Sequence, residues 1–161
     1  MLLFTPMIKI YYKDPEAPKP NQPIIPSIHG VIVNDSHEIL LHKREDSPIW
    51  AIPGGKIEPD ESIEQCLKRE MQEELGVEVF TERLLGVYTD PSYILALGDT
   101  IQRVFLIVFL CTITSGELNL TSETMEYRWF AKKDLSSIET FPLVKEIANQ
   151  VFDDTKTVFY D

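Results

Sequence analysis

The sequence predicts an α/β protein, a sandwich of helices on a mixed β-sheet, from three observations. β-type runs are interleaved with two helical stretches. No regular strand–helix–strand alternation links them, which suggests a mixed sheet. A chain of 161 residues with 43% hydrophobic side chains suffices for one core.

Residues 1–27 read as a proline-rich N-terminal extension and residues 28–161 as the main domain. Within the extension, residues 7–12 suit a short strand. Pro15, Pro18, Pro20, Pro23 and Pro26 then bar the chain from a central sheet. Such an arm is expected to cover the domain's own sheet edge or a partner subunit of a homodimer, away from any metal.

From Ile28 the pattern changes. Residues 28–33 and 38–42 are two β-type runs around the turn cluster Asn34-Asp35-Ser36-His37, which predicts a hairpin. Trp50-Ala51-Ile52 leads into Pro53-Gly54-Gly55, which should break regular structure. Residues 62–75 carry the clearest helix signal, with Ser62 and Gln65 as a capping box and Gly76 as the stop. Strands are expected over 77–87, 101–112 and 127–131, and a final helix over 142–152, where Leu143, Ile147 and Val151 share a face.

Composition narrows the function. A net charge of −11 without a basic run argues against a nucleic-acid partner. The longest apolar run, 104–111, has strand length and falls far short of a membrane span. Cys66 and Cys111 lack His or Cys neighbours at zinc spacing, and no signal peptide is legible, so free thiols in the cytoplasm are expected.

The helix is where chemistry shows. At about 100° per residue, Leu67, Met71 and Leu75 fall on one side with Ile63, the apolar stripe. Glu74 and Glu70 each land about 20° from Ile63, and Glu73 lies about sixty degrees beyond Glu70. Three carboxylates at positions i, i+3 and i+4 repel, and burial adds a desolvation cost. One guanidinium, Arg69, cannot neutralise all three. An all-oxygen ligand set selects a hard divalent cation, Mg²⁺ or Mn²⁺.

Gly55, Glu61, Arg69-Glu70-Met71 and Glu73-Glu74-Leu75-Gly76-Val77 fit Gly-x5-Glu-x7-Arg-Glu-U-x-Glu-Glu-x-Gly-U at every specified position, U being a bulky apolar residue. This resembles the Nudix box, and chance odds on the order of one in ten million make coincidence a poor account. The resemblance runs from about Ile28 to Phe152. It implies a Nudix-type α/β/α sandwich and a Mg²⁺-dependent hydrolase cutting a pyrophosphate bond in a nucleoside diphosphate derivative. A nucleotide-sensing module on the same fold is the alternative, although such modules usually lose box glutamates and this chain has lost none.

The resemblance further implies Glu70, Glu73, Glu74 and the Gly55 carbonyl as metal ligands, with Glu61 helping indirectly and Arg69 orienting the carboxylates. A further glutamate from a loop before a late strand often serves such proteins as ligand or base. Glu123 is the candidate, with Glu126 the runner-up. Glu73, Glu74, Glu123 and Arg69 are thus the expected catalytic set. Substrate contacts are expected from Gly54 and Gly55, from Arg44 at a strand end, and from Tyr88 stacking on a base, with Trp50 and Tyr93 as other aromatic candidates. Gly86-Val87-Tyr88-Thr89-Asp90-Pro91 resembles a segment of relatives labelled ADP-ribose or nucleoside-triphosphate hydrolases, and Asp-Pro is also a common turn. His29, His37 and His42 are isolated in the sequence.

Overall fold

The structure, a computed structural model, describes residues 7–161. In chain order the elements are β1 (Lys9–Tyr11), β2 (Ser27–Ile32), β3 (Ile39–Arg44), β4 (Gly54–Lys56), α1 (Ile63–Leu75), β5 (Val77–Tyr88), β6 (Ile94–Leu97), β7 (Thr100–Arg103), β8 (Leu106–Gly116), β9 (Thr124–Phe130), a 3₁₀ turn (Lys132–Ser137), α2 (Val144–Phe152) and β10 (Phe159–Tyr160). The central sheet has the order β10-β5-β8-β2-β4 and is mixed: β2 and β8 run parallel, β5 and β8 antiparallel.

Period-2 alternation in β2 assigns the two faces of this sheet. Ile28 and Ile32 join Leu67, Met71 and Leu75 of α1 in one core, while Val31 joins Ile147, Ala148 and Val151 of α2 in the other. The result is the α/β/α sandwich that the resemblance implies. Each fully buried Leu or Met here contributes roughly 1.5–3 kcal/mol relative to exposure.

Local signals survive folding where they are self-contained. Ser62 Oγ accepts from the Gln65 N–H at 3.2 Å, Gln65 Oε1 accepts from the Ser62 N–H at 2.8 Å, and Gly76 closes α1 at φ 72°. Ile63 departs from the wheel reading. It is 39% exposed, and Cys66 takes its place in the buried stripe.

Three other expectations are corrected. The predicted hairpin is a turn with one bridge, Val33 to Ile39, after which the strands part. Both edges of β2 are already taken, by β8 and β4, so β3 pairs with β9 instead. The 101–112 run is two strands. Between them the Val104 N–H bonds the Tyr93 carbonyl at 2.9 Å and the Phe105 carbonyl accepts from Ser27 at 2.8 Å, so the chain changes sheets. The Pro53-Gly54-Gly55 break becomes β4, because Ile28 and His29 offer Gly55 and Gly54 a free antiparallel edge. Finally, β6 and β10 were not foreseen.

The arm lies on this same chain. β1 pairs antiparallel with β6, Asn21 Oδ1 accepts from the Ile101 N–H at 2.9 Å, and Ile8, Ile10 and Tyr12 pack on the α2-side core. Among the described residues, no helix is long and apolar enough to cross a membrane.

Candidate active site

α1 presents its glutamates in two groups. Glu70 and Glu74 are 8% and 2% exposed within the face that packs on the sheet, whereas Glu73 sits on the open flank. A buried carboxylate must be bonded or neutralised, and the two buried glutamates meet this differently. Glu74 Oε1 accepts from the Gly54 N–H at 2.7 Å, and Oε2 lies 3.0 Å from His42 Nε2. Glu70 turns outward, where carboxylate oxygens of Glu70, Glu73 and Glu123 lie within 4.8 Å of one another. The structure thus brings together three of the expected carboxylates. Glu74 stands behind that group, with both oxygens engaged by protein donors.

The charge balance shows what such a cluster wants. At an effective dielectric of about 20, two carboxylates this far apart repel by on the order of 3 kcal/mol. Arg69 answers only in part: Nε and Nη2 grip Glu61 at 2.5 and 2.9 Å, and Nη1 reaches Glu70 at 2.7 Å and Glu73 at 3.1 Å. That grip pulls the Glu61 carboxyl down to about 2. Burial pushes Glu70 up to about 7, the negative Glu74 and Glu73 adding to the rise against the pull of Arg69. Glu123 is raised too, by burial and then by Glu73 and Glu74. Carboxylates that resist ionising beside one another, all offering oxygen, fit a hard divalent cation.

Two glycines bring β4 against this cluster. Gly54 has φ 146°, and a Cβ there would overlap the Ile28 carbonyl. A Cβ on Gly55 would overlap the Glu70 carboxylate itself. The Gly55 carbonyl, an expected ligand, faces the Cys66 thiol at 3.7 Å. Burial pushes that thiol up to about 12, with Glu61 and Glu70 adding to it, so it is not a nucleophile.

A cavity of about 610 Å³ opens from the cluster. Its charged end carries Arg69, Glu70, Glu73, Glu123, Gly54, Gly55, Lys56 and Arg44; its far end is apolar, with Tyr93, Leu95, Val104, Leu106, Phe141 and Ile147. Arg44 lies at a bulge in β3 and holds buried Asp46 through two bonds of 3.0 and 3.1 Å. Tyr88 is not brought to the cavity. It is 2% exposed, stacks on Phe159 at 4.8 Å, and its hydroxyl accepts from Gln150. Its strand position points it at the α2-side core, and Tyr93 lines the cavity instead. Trp50 is also core, edge-on to Phe130 at 4.8 Å. Glu126, the runner-up to Glu123, pairs with Lys43 at 3.1 Å and Arg128 at 3.3 Å, away from the cluster. Pro91 sits in a turn where Asp90 Oδ1 accepts from the Ser92 N–H at 2.8 Å.

Sequence reasoning missed three participants. His42 bonds Glu74 through Nε2, and its Nδ1 lies 2.9 Å from Thr124 Oγ1. Ile8 and Ile25 of the arm line the cavity. Its place directly behind the apolar run Ile39-Leu40-Leu41 was the only hint of the first, and nothing local marks the others.

The NUDIX domain family model matches residues 24–152, and the box residues now stand together around one cluster. The chain belongs to the Nudix family. It is 33% identical over 115 residues to an ADP-ribose pyrophosphatase of Methanocaldococcus jannaschii, covering 70% of this chain and 64% of that protein. It is 32% identical over 114 residues to the nucleoside triphosphatase NudI of Escherichia coli, covering 65% and 80%. The matched segment thus spans less than two thirds of the archaeal relative's length. Among solved structures, the MutT protein of Methanosarcina mazei Go1 superposes with a TM-score of 0.68 at 26% identity, over 86% of this chain and 100% of that one.

Proposed function

We propose that this Nudix protein is a Mg²⁺-dependent pyrophosphohydrolase of nucleoside diphosphate derivatives, with Mn²⁺ as an alternative metal. The observation that carries the reading is the Glu70–Glu73–Glu123 cluster in the wall of a cavity that also offers apolar side chains such as Tyr93, Leu95, Val104 and Phe141. Those three carboxylates would hold the cation. Glu74 adds its charge from behind and, with the Gly55 carbonyl, remains a ligand candidate. A bound Mg²⁺ supplies charge neutralisation for the substrate diphosphate and acidifies water.

The remaining work falls to this chain's own groups. Arg69 fixes the rotamers of Glu61, Glu70 and Glu73. Glu123 serves at the cluster as a ligand or as the base that takes the proton of the attacking water. Arg44 faces the phosphates, and the apolar end takes the nucleoside and excludes water there. A nucleoside triphosphate and an ADP-ribose-like nucleoside diphosphate derivative are both consistent with the two named relatives. Both cysteines are unpaired, which suits the cytoplasm.

A panel of nucleoside triphosphates, ADP-ribose and other nucleoside diphosphate derivatives, assayed with Mg²⁺ and phosphatase-coupled detection, tests the reading. Turnover of at least one member, abolished by EDTA and restored by Mg²⁺, is expected. Tight binding without turnover of any member would favour the sensing module instead.

A further inference from the structure

His42 lies in β3 directly after the apolar run Ile39-Leu40-Leu41 and before Lys43 and Arg44, and it is 1% exposed. A buried imidazole needs a partner at each ring nitrogen, and both of its partners belong to the site. Nε2 lies 3.0 Å from Glu74 Oε2; a carboxylate only accepts, so Nε2–H is the donor. Nδ1 lies 2.9 Å from the hydroxyl of Thr124. In the neutral ring Nδ1 accepts from that hydroxyl. Thr124 is 1% exposed and directly follows Glu123.

A second strap meets the same glutamate. The Thr121 hydroxyl donates to the Glu74 carbonyl at 3.2 Å and accepts from the Glu123 N–H at 3.2 Å. The loop carrying Glu123 is therefore fastened to one residue of α1 on both sides, by backbone through Thr121 and by side chain through Thr124 and His42. The β3–β9 ladder alone sets Thr124 beside Arg44, across a register shift, and leaves the preceding loop without ladder bonds.

We infer that His42 and Thr124 are positioning residues that lock the Glu123 loop onto Glu74, so that the Glu123 carboxylate is held at the Glu70–Glu73 pair. This rests on the reading of Glu123 as a working member of the cluster. The physical cause is geometric. A carboxylate on an untethered loop between two like charges swings away from them, whereas one held by buried bonds is presented at a fixed distance. Partners that orient ligating groups typically change metal affinity or activity by about 10–100-fold when removed.

The test uses Thr124→Val, which swaps a hydroxyl for a methyl, and His42→Gln, which keeps an amide able to bond. Each is made in the wild type and in Glu123→Gln. Three readouts are taken on the full chain: amide hydrogen exchange of residues 121–125, Mn²⁺ affinity by electron paramagnetic resonance without substrate, and kcat and KM. Thr124→Val should speed exchange in that segment while α1 is unchanged. It should weaken Mn²⁺ about tenfold and lower kcat about tenfold with KM within twofold. His42→Gln should retain more of each than Thr124→Val does. In the Glu123→Gln background Thr124→Val should add nothing, because its effect passes through Glu123. Unchanged exchange over 121–125 would overturn the tether. Full multiplication of the two losses would overturn its action through Glu123. If Glu123→Gln alone keeps wild-type turnover and Mn²⁺ affinity, the role given to Glu123 falls and the positioning role falls with it, whereas intact tether exchange shifts would show that the loop contact itself is real.

Discussion

The two ends of the cavity differ in how they are made. The charged end comes mainly from one turn and one helix, residues Gly54 to Glu73, with Arg44 before them and Glu123 as the late addition. The apolar end is assembled from Ile8, Ile25, Tyr93, Leu95, Val104, Phe141 and Ile147, which span nearly the whole chain. On the proposed reading, the chemistry would be built from short-range spacing on a capped helix, and substrate selection from long-range packing of several elements. Mutations at the first end should act on kcat and those at the second on KM, and each prediction below tests that division.

The largest effect is expected for Glu73→Gln. The swap preserves shape and relieves repulsion, so the fold should persist while kcat falls by about a hundredfold or more. Steady-state kinetics on the purified variant, with circular dichroism as the fold control, checks this; near-wild-type turnover would remove Glu73 from the cation site. Gly55→Ala comes next. Its methyl would displace the Glu70 carboxylate, and kcat and Mn²⁺ affinity should each fall by about tenfold, the scale of a disturbed ligand support.

A smaller and different effect is expected at the arm. Ile8→Ala removes apolar wall worth about 1 kcal/mol of contact, so KM should rise about fivefold with kcat within twofold. Deleting residues 1–24 should raise KM further and lower the melting temperature, since β1 and Asn21 bond β6 and Ile101. If kcat fell while KM held, the division between the two ends would be wrong.

The smallest effect concerns acid stability. The Arg69 grip depresses the Glu61 carboxyl from 4.5 to about 2 in the folded chain. A depressed carboxyl contributes stability that is present above its unfolded pKa and lost as pH falls through its folded one. The melting-temperature gap between wild type and Glu61→Gln should therefore be present at pH 7 and close between about pH 4.5 and 2. A gap that persisted at pH 2 would place the stabilisation in packing instead of charge.

α1 shows what was legible and why. Its start, its stop and the burial of Glu70 and Glu74 all follow from residues within one or two turns of each other, where helical geometry leaves little choice. Glu123 was reached by resemblance, since no local pattern ties it to a helix some fifty residues earlier. The hairpin reading failed for a non-local reason: β2 has only two edges, and distant β8 and nearby β4 both claimed them. Tyr88 failed similarly. An aromatic beside a suggestive segment carries no mark of which sheet face it occupies, and the register with β8 turned it to the α2-side core.

The sequence by itself determined the α/β class, the helix with its caps, the clustering of acidic groups along it and an oxygen-only set of candidate ligands. These are properties of spacing along one rigid element. Tertiary structure alone decided that Glu123 meets Glu70 and Glu73 while Glu74 faces inward, that His42 joins Glu74 to Thr124, and that the arm walls the cavity. Each of those depends on which strand edges are free and on where buried polar groups find partners, and both are settled only when the whole sheet closes.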